Sequence, residues 1–230
     1  SVLDKATSVL SKAKKPVVAL GITAVRSGVR NLVIEFVEKL KIPVVLTPMA
    51  KGILPEDHAC YAGVLNHALA NQVGVTHQQA DLIIGIGFDP VELNYEDWIP
   101  NVPVIHIDTI PADLDLKRHT LACDVVGDIN DSVTRLIAKT EAKTEWNLVE
   151  LVKRKEKMFS ELTDEHGHFG AVTVLNGLRE RLPQDGIMTC DVGAHLHLIG
   201  QHWKTGTPEC QLMTNGCSSM GPLYHHCARN

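Results

Sequence analysis

The chain has 230 residues, of which 44% are hydrophobic and 21% charged, and its formal net charge is −5. This composition predicts a globular protein with room for more than one domain of ordinary size. Because acids and bases are interspersed and no basic stripe occurs, nucleic acid is not an expected partner. No run of 18 apolar residues is present, so the sequence predicts no membrane-spanning helix and no membrane partner.

The cysteines form no CxxC pair and have no zinc-finger spacing. Free thiols in a reducing compartment are the default interpretation of such a pattern, which predicts a cytoplasmic protein. An organelle protein whose presequence has been removed would look the same. The six cysteines are Cys60, Cys123, Cys190, Cys210, Cys217 and Cys227.

Short apolar runs alternate with helical patterns through the first 140 residues. Aromatic residues make up only 4% of the chain, so Val, Ile, Leu and Ala must build the core, as in buried parallel strands. Strand alternating with helix predicts an α/β fold with a doubly wound parallel sheet, and residues 1–140 are predicted to be one domain. The predicted strands are 16–20, 43–47, 82–87, 103–108 and 123–127, and the predicted helices are 29–41, 67–80 and 129–139, the last with Asp128 or Asn130 as its cap.

The character of the sequence changes after residue 140. Residues 141–167 are highly charged and are predicted to form a linker that passes through a surface helix. The α/β pattern returns in 168–230, with predicted helices at 170–182 and 194–203 and predicted strands at 186–191 and 210–214. Two strands are few for a stable sheet, so we predict an incomplete second α/β domain, whose tail from residue 222 is atypical.

Two Gly-containing loops follow predicted strands of the first domain. "GITAVRSG" (21–28) could cradle a phosphate at a helix N-terminus, or it could be a turn that needs glycine. "IGIGFDP" (84–90) and Asp108 also stand at the carboxyl ends of predicted strands. All three could line one nucleotide crevice, with Asp108 accepting from a ribose hydroxyl. An Asp108 that caps the next helix is the alternative.

The stretch "CDVGAHLH" (190–197) places a strand end, a glycine turn and a helix start together. A helix N-terminus above a sheet is suited to an anion, and an exposed turn is the alternative. His195 and His197 are two residues apart and point in different directions in a strand or a helix. No Cys/His spacing supports a metal site, so no metal ligand is predicted.

Read in order, several stretches resemble a thiamine diphosphate-dependent enzyme of the acetolactate synthase type, especially the catabolic, flavin-independent synthases. The resemblance covers about residues 1–221, and its most specific elements are "KG-x-x-PEDH" (51–58) and "IG-x-DP-x-E". The other stretches that carry it are "KPVVALGITAVRSG", "VIHIDTIPADLD", "VVGDI", "IMTCDVGAHLHLIGQHW" and "MTNGCSSMG".

The resemblance implies that residues 1–140 are the middle of three α/β domains and that 168–221 begin the third, which binds thiamine diphosphate and Mg²⁺. It implies decarboxylation of a 2-oxo acid such as pyruvate and transfer of the product to a second 2-oxo acid. It also implies a homo-oligomer, a dimer or tetramer. The implied cofactor-binding residues are Val192, Gly193, Ala194 and His195 at the diphosphate, with Asp191 shaping their turn, and Ser218 and Met220 at the cofactor's bent middle.

The sequence departs from this family pattern at several points. The family's first domain and its glutamate are not among these residues, and neither is the GDG motif that holds the metal. "PLYHHCARN" replaces the apolar helix expected after Gly221. Phe88-Asp89-Pro90 stands where flavin-binding members carry an Arg, so no bound FAD is expected.

We therefore assign no catalytic residue and expect a piece of a larger enzyme that is inactive by itself. Two alternatives are a free-standing nucleotide-binding domain and a non-catalytic partner of a full-length synthase.

Overall fold

A six-stranded sheet, in which every strand is parallel to its neighbours, organises the first part of the chain. The computed structural model describes residues 1–89, 97–141, 145–163 and 168–213. The strand order is β3-β2-β1-β4-β5-β6, so the predicted doubly wound α/β fold is confirmed. The strands are β1 (Pro16–Leu20), β2 (Val44–Leu46), β3 (Tyr61–Val64), β4 (Leu82–Ile86), β5 (Pro103–Asp108) and β6 (Thr120–Val126).

Helices cover both faces of this sheet. All residues of β1 and β4 are buried, because each face of a central strand meets a helical layer. One core cluster contains Phe36 and Leu136, and the other contains Val73 and Met158. The helices are α1 (Val2–Lys12), α2 (Ile22–Arg26), α3 (Arg30–Leu40), α4 (Ala70–His77) and α5 (Ile129–Lys139), and one 3₁₀ turn spans Pro48–Ala50.

Strand β3 is absent from the sequence-based prediction, which placed five strands where the structure has six. Its sequence, YAGV, contains Ala62 and Gly63, which have low β propensity, so no local apolar run indicates it. Pairing with β2 creates the strand, with an irregularity in register between Val44 and Val45. The missed element is an edge strand, defined by its neighbour rather than by its own side chains.

Local capping signals account for several helix boundaries. Asp128 caps α5, where its Oδ1 accepts the Asp131 N–H at 2.8 Å, as predicted. Helix α4 begins later than the predicted residue 67. Leu69, the residue just before the helix, has a left-handed backbone conformation with φ of 56°, so the helix begins at Ala70.

Three helices and two strands follow residue 145 within the described ranges. Strands β7 and β8 pair in parallel as a two-stranded sheet. The predicted linker helix is present, but Leu151, Lys155 and Met158 are buried on it, so only part of it is surface. The elements are α6 (Leu148–Glu161), α7 (Ala171–Arg181), β7 (Met188–Cys190), α8 (Ala194–His202) and β8 (Gln211–Met213).

Helix α6 is fastened to the first sheet region by polar groups as well as apolar ones. The Lys155 ammonium donates to the carbonyl oxygens of Asp57 and His58, at 3.0 and 2.8 Å. The Trp146 indole donates to the Pro16 carbonyl at 2.8 Å.

The division into domains at residues 140 and 168 stays a prediction. No helix within the described ranges has the length and apolar character needed to cross a membrane.

Candidate functional site

The reversal of strand order between β1 and β4 is the usual ligand crevice of a doubly wound sheet. The predicted phosphate loop at 21–28 contains the short helix α2. The N–H groups of Thr23 and Ala24 both donate to the Gly87 carbonyl, at 3.0 and 3.4 Å. Because a protein carbonyl accepts from these amides, the structure favours the alternative of a glycine-containing turn over that of a phosphate cradle at this loop.

Phe88 closes the same crevice. Its side chain is fully buried, and a Cβ built on Gly85 would lie 2.1 Å from Phe88 Cδ1. A Cβ built on Gly21 would lie 2.5 Å from Phe88 Cα. The exits of β1 and β4 are therefore in direct contact, and the predicted nucleotide crevice shared by their loops is filled by protein.

The Asp108 carboxylate is engaged by its own neighbour. Asp108 Oδ1 accepts the N–H of Thr109 at 2.5 Å and its hydroxyl at 3.1 Å. The side chain is buried. Neither sequence-based alternative describes this geometry, because Asp108 caps a local turn rather than a helix and its Oδ1 is already shared by two donors.

The turn between β7 and α8 remains the candidate site. Val192, Gly193, Ala194 and His195 are all exposed there, and the half-buried Asp191 joins them to the buried Cys190 that ends β7. Gly193 is the N-cap of α8. Its φ of 153° is a backbone conformation that residues other than glycine rarely adopt. No side chain caps this N-terminus. The Leu196 N–H donates to the Gly193 carbonyl at 3.0 Å, which leaves the amides of Ala194 and His195 without a partner within the helix. Free amides at a helix N-terminus are the arrangement that receives an anion.

The two histidines of this segment, His195 and His197, contact different residues. The His195 ring lies over Gly193, because a Cβ there would be 2.6 Å from the ring Cε1. His197 points to His67 instead, with 3.4 Å between their Nδ1 atoms. Within the described ranges no group of three His, Cys, Asp or Glu side chains could hold a metal ion. The predicted site residues Ser218 and Met220 lie outside the described residues.

Sequence reasoning missed a buried polar junction beneath α8. Lys51 and Glu56 form an ion pair at 3.2 Å, with side-chain exposures of 1% and 2%. Burial lowers the pKa of Lys51, and the Glu56 carboxylate opposes that shift. Both residues belong to the "KG-x-x-PEDH" stretch, whose sequence does not by itself indicate that the two side chains form a buried pair.

Burial also shifts the pKa values of two titratable side chains beside this ion pair. Burial, and then the charge of Glu56, raises the pKa of Tyr61 well above its usual range. Burial, followed by His197 and Lys51, lowers the pKa of His67 to about 3. The junction therefore favours a neutral imidazole and a neutral phenol beside one ion pair.

Comparison with known proteins shows which family model and which related sequences this chain matches. The family model for the central domain of thiamine pyrophosphate enzymes matches residues 3–136. The isozyme 1 large subunit of acetolactate synthase from Escherichia coli is 30% identical over 226 residues, covering 94% of this chain and 39% of that protein. The acetolactate synthase large subunit of Corynebacterium glutamicum is 30% identical, covering 95% and 36%.

A third relative is similar over the same stretch. The acetolactate synthase of Bacillus subtilis is 26% identical over 231 residues, covering 95% of this chain and 40% of that protein. The chain thus spans about two fifths of the length of the curated relatives it matches.

Proposed function

The chain belongs to the thiamine pyrophosphate enzyme family, of the acetolactate synthase type, and from that premise we propose that it is part of a decarboxylating carboligase. The substrate would be a 2-oxo acid such as pyruvate, and the acceptor a second 2-oxo acid. When bound, thiamine diphosphate supplies the electron sink that lets a 2-oxo acid lose CO₂. The enzyme would be a cytoplasmic homo-oligomer, a dimer or tetramer.

The observation that carries this proposal is the open N-terminus of α8. The backbone amides of Gly193, Ala194 and His195 would donate to the diphosphate, and the positive end of the helix would favour its charge. The exposed His195 ring beside them could donate a further hydrogen bond. The donor set therefore fits a diphosphate. The Mg²⁺ would need oxygen ligands, and the described residues offer no group of three His, Cys, Asp or Glu side chains, so we derive no step through the metal.

The first sheet region would act as a scaffold without a flavin. Support for this part of the proposal comes from Phe88, which fills the switch point, and from the Gly87 carbonyl, which occupies the α2 amides. The same two contacts disfavour the alternative of a free-standing nucleotide-binding domain. A non-catalytic partner of a full-length synthase is the other alternative, and it predicts co-purification with such a subunit.

A diphosphate titration followed by two-dimensional NMR tests the site. Inorganic pyrophosphate at millimolar concentration should shift the amide signals of Gly193, Ala194 and His195, because these groups face an anion in the proposed complex. Signals from residues 21–28 should stay in place. A Gly193→Val variant is the matched control, since a β-branched residue does not adopt φ of 153°, and its turn should lose the response.

The opposite pattern would contradict the proposal. If pyrophosphate or ADP moved the signals of residues 21–28 and 87–89 instead, the nucleotide-binding alternative would replace it. Calorimetry with thiamine diphosphate and Mg²⁺ tests the further proposal that these 230 residues alone do not bind the whole cofactor at micromolar concentration, although the turn responds to millimolar pyrophosphate. We expect no saturable heat at micromolar cofactor, and Mg²⁺-dependent saturation there would refute that part.

A further inference from the structure

The ammonium of Lys51 has a full set of acceptors in a place without solvent. Its Nζ lies 3.2 Å from Glu56 Oε1, 3.0 Å from the Gly200 carbonyl and 2.5 Å from the Trp203 carbonyl. A lysine ammonium has three N–H donors, so these three acceptors match its capacity. Such saturation is needed because a buried charge without partners is strongly unfavourable.

Two of those acceptors belong to the C-terminal end of α8. Gly200 is in its last turn and Trp203 is its C-cap. Carbonyls at a helix C-terminus have no partner within the helix, and the helix dipole makes this end negative. Lys51 therefore places a cation at the end of α8 that is opposite to the Gly193 turn.

The partner of Lys51 holds the residues that follow the helix. Glu56 Oε1 accepts the Thr205 hydroxyl at 2.8 Å, and Glu56 Oε2 accepts the Thr205 N–H at 3.1 Å. One ion pair from residues 51–56 thus fixes both the last turn of α8 and the chain beyond it.

Gln201 fixes the same helix against the edge of the six-stranded sheet. This fully buried side chain exchanges two hydrogen bonds with Val64, the last residue of β3. Its Oε1 accepts the Val64 N–H, and its Nε2 donates to the Val64 carbonyl, both at 2.9 Å. Nε2 also donates to the Ala68 carbonyl at 2.9 Å. The amide takes the place that a neighbouring strand would fill, so α8 is located relative to the sheet edge.

We infer that Lys51 is a positioning residue: with Glu56 it clamps the C-terminal end of α8, and so sets where the Gly193–His195 turn stands relative to the six-stranded sheet. The helix has nine residues, about 13 Å at 1.5 Å per residue, so movement at its clamped end is carried to its free end. That this turn receives a diphosphate rests on the function proposed above. The placement of the turn does not.

The test uses the full 230-residue chain with Lys51→Met and Glu56→Gln combined. Removing both charges avoids leaving one of them buried without a partner, which would destabilise the whole fold. The expected result is displaced NMR amide signals for Gly193, Ala194 and His195 and amide exchange in α8 that rises about tenfold or more. Signals of β4 and β5 should stay unchanged. The Lys204→Met control, at an exposed lysine beyond α8, should change neither.

Gln201→Met supplies a second, independent variant, which removes the edge contacts and keeps the ion pair. It should displace the same turn signals. The inference is overturned if the turn signals stay in place in the double variant, or if β4 and β5 lose protection together with α8, since the pair would then stabilise the fold in general. Neither readout involves the cofactor, so a failed pyrophosphate titration leaves this result intact.

Discussion

The six-stranded sheet region and the region from 168 to 213 bury their apolar residues very differently. Every residue of β4 is buried, and its central position gives it neighbours on both sides. In the second region Leu212 of β8 is 38% exposed and Phe169 is 81% exposed. The second region forms one small cluster around Trp203. From this contrast we predict that the second region is less stable than the first and depends on contacts outside itself.

Helix α8 is the exception within the second region. Its Gln201 and its terminal carbonyls bond to residues 51–68 of the first region. The two strands beside it have no such anchor in the described residues. Thr205 and Gly206, which follow the helix, add hydrogen bonds to Glu56 and Arg30. The hydrogen bonds between the two regions therefore come from α8 and the residues after it rather than from the small sheet.

A pair of phenylalanine substitutions gives the largest expected difference. Phe88→Ala should lower the free energy of unfolding by about 3–5 kcal/mol, because it empties a fully buried position. Phe169→Ala should change it by less than about 0.5 kcal/mol, because that ring is mostly exposed. Urea denaturation followed by circular dichroism measures both. Similar losses for the two variants would show that Phe169 is covered in solution and would remove the contrast.

Hydrogen exchange compares the two regions without a substitution. Amides of β7 and β8 should exchange about a hundredfold faster than those of β4 and β5, a difference of ~2.8 kcal/mol, because two strands bury too little apolar surface. Amides of α8 should fall between these limits, because its far end is anchored. Uniform exchange of all four strands in a monomer would instead show one cooperative fold and would refute the division at residue 168.

The smallest effect is expected from pH, at the junction between the regions. The folded-state pKa of His67 is about 3, against about 6.5 in an unfolded chain. Between these values the unfolded chain binds a proton that the folded chain rejects. Stability is therefore lost as pH falls from about 6.5 towards 3, by ~2 kcal/mol from this residue at pH 5.

Replacing His67 should flatten this part of the stability profile. Urea midpoints of His67→Gln between pH 7 and pH 5 should fall less steeply than those of the parent chain. The exposed His168→Gln is the matched control and should keep the parental slope. The slope is the relevant quantity, because the variant also changes packing against Gly200. Parallel profiles for the parent chain and His67→Gln would rule out this origin of acid sensitivity.

The sequence by itself determined the class of fold and most of its elements. The runs at 16–20, 82–86 and 103–108 are locally apolar, and a run of this kind records burial on both faces of a strand. Helices α3 and α5 follow from apolar spacing and, for α5, from the Asp128 cap. The family was likewise readable, because its motifs are contiguous stretches of sequence.

Only the tertiary structure decided β3, the closed switch point and the junction beneath α8. Strand β3 forms because it pairs with β2. Phe88 closes the crevice by packing against Gly21, which is 67 positions away in sequence, and against Gly85, which is 3 positions away. Lys51 donates to carbonyl oxygens at the C-terminal end of α8 that are 149 and 152 residues away in sequence. Gln201 bonds to backbone groups that are 133 to 137 residues away. Periodicity shows whether a residue is buried and not what it is buried against, so polar contacts over such separations leave no local signal.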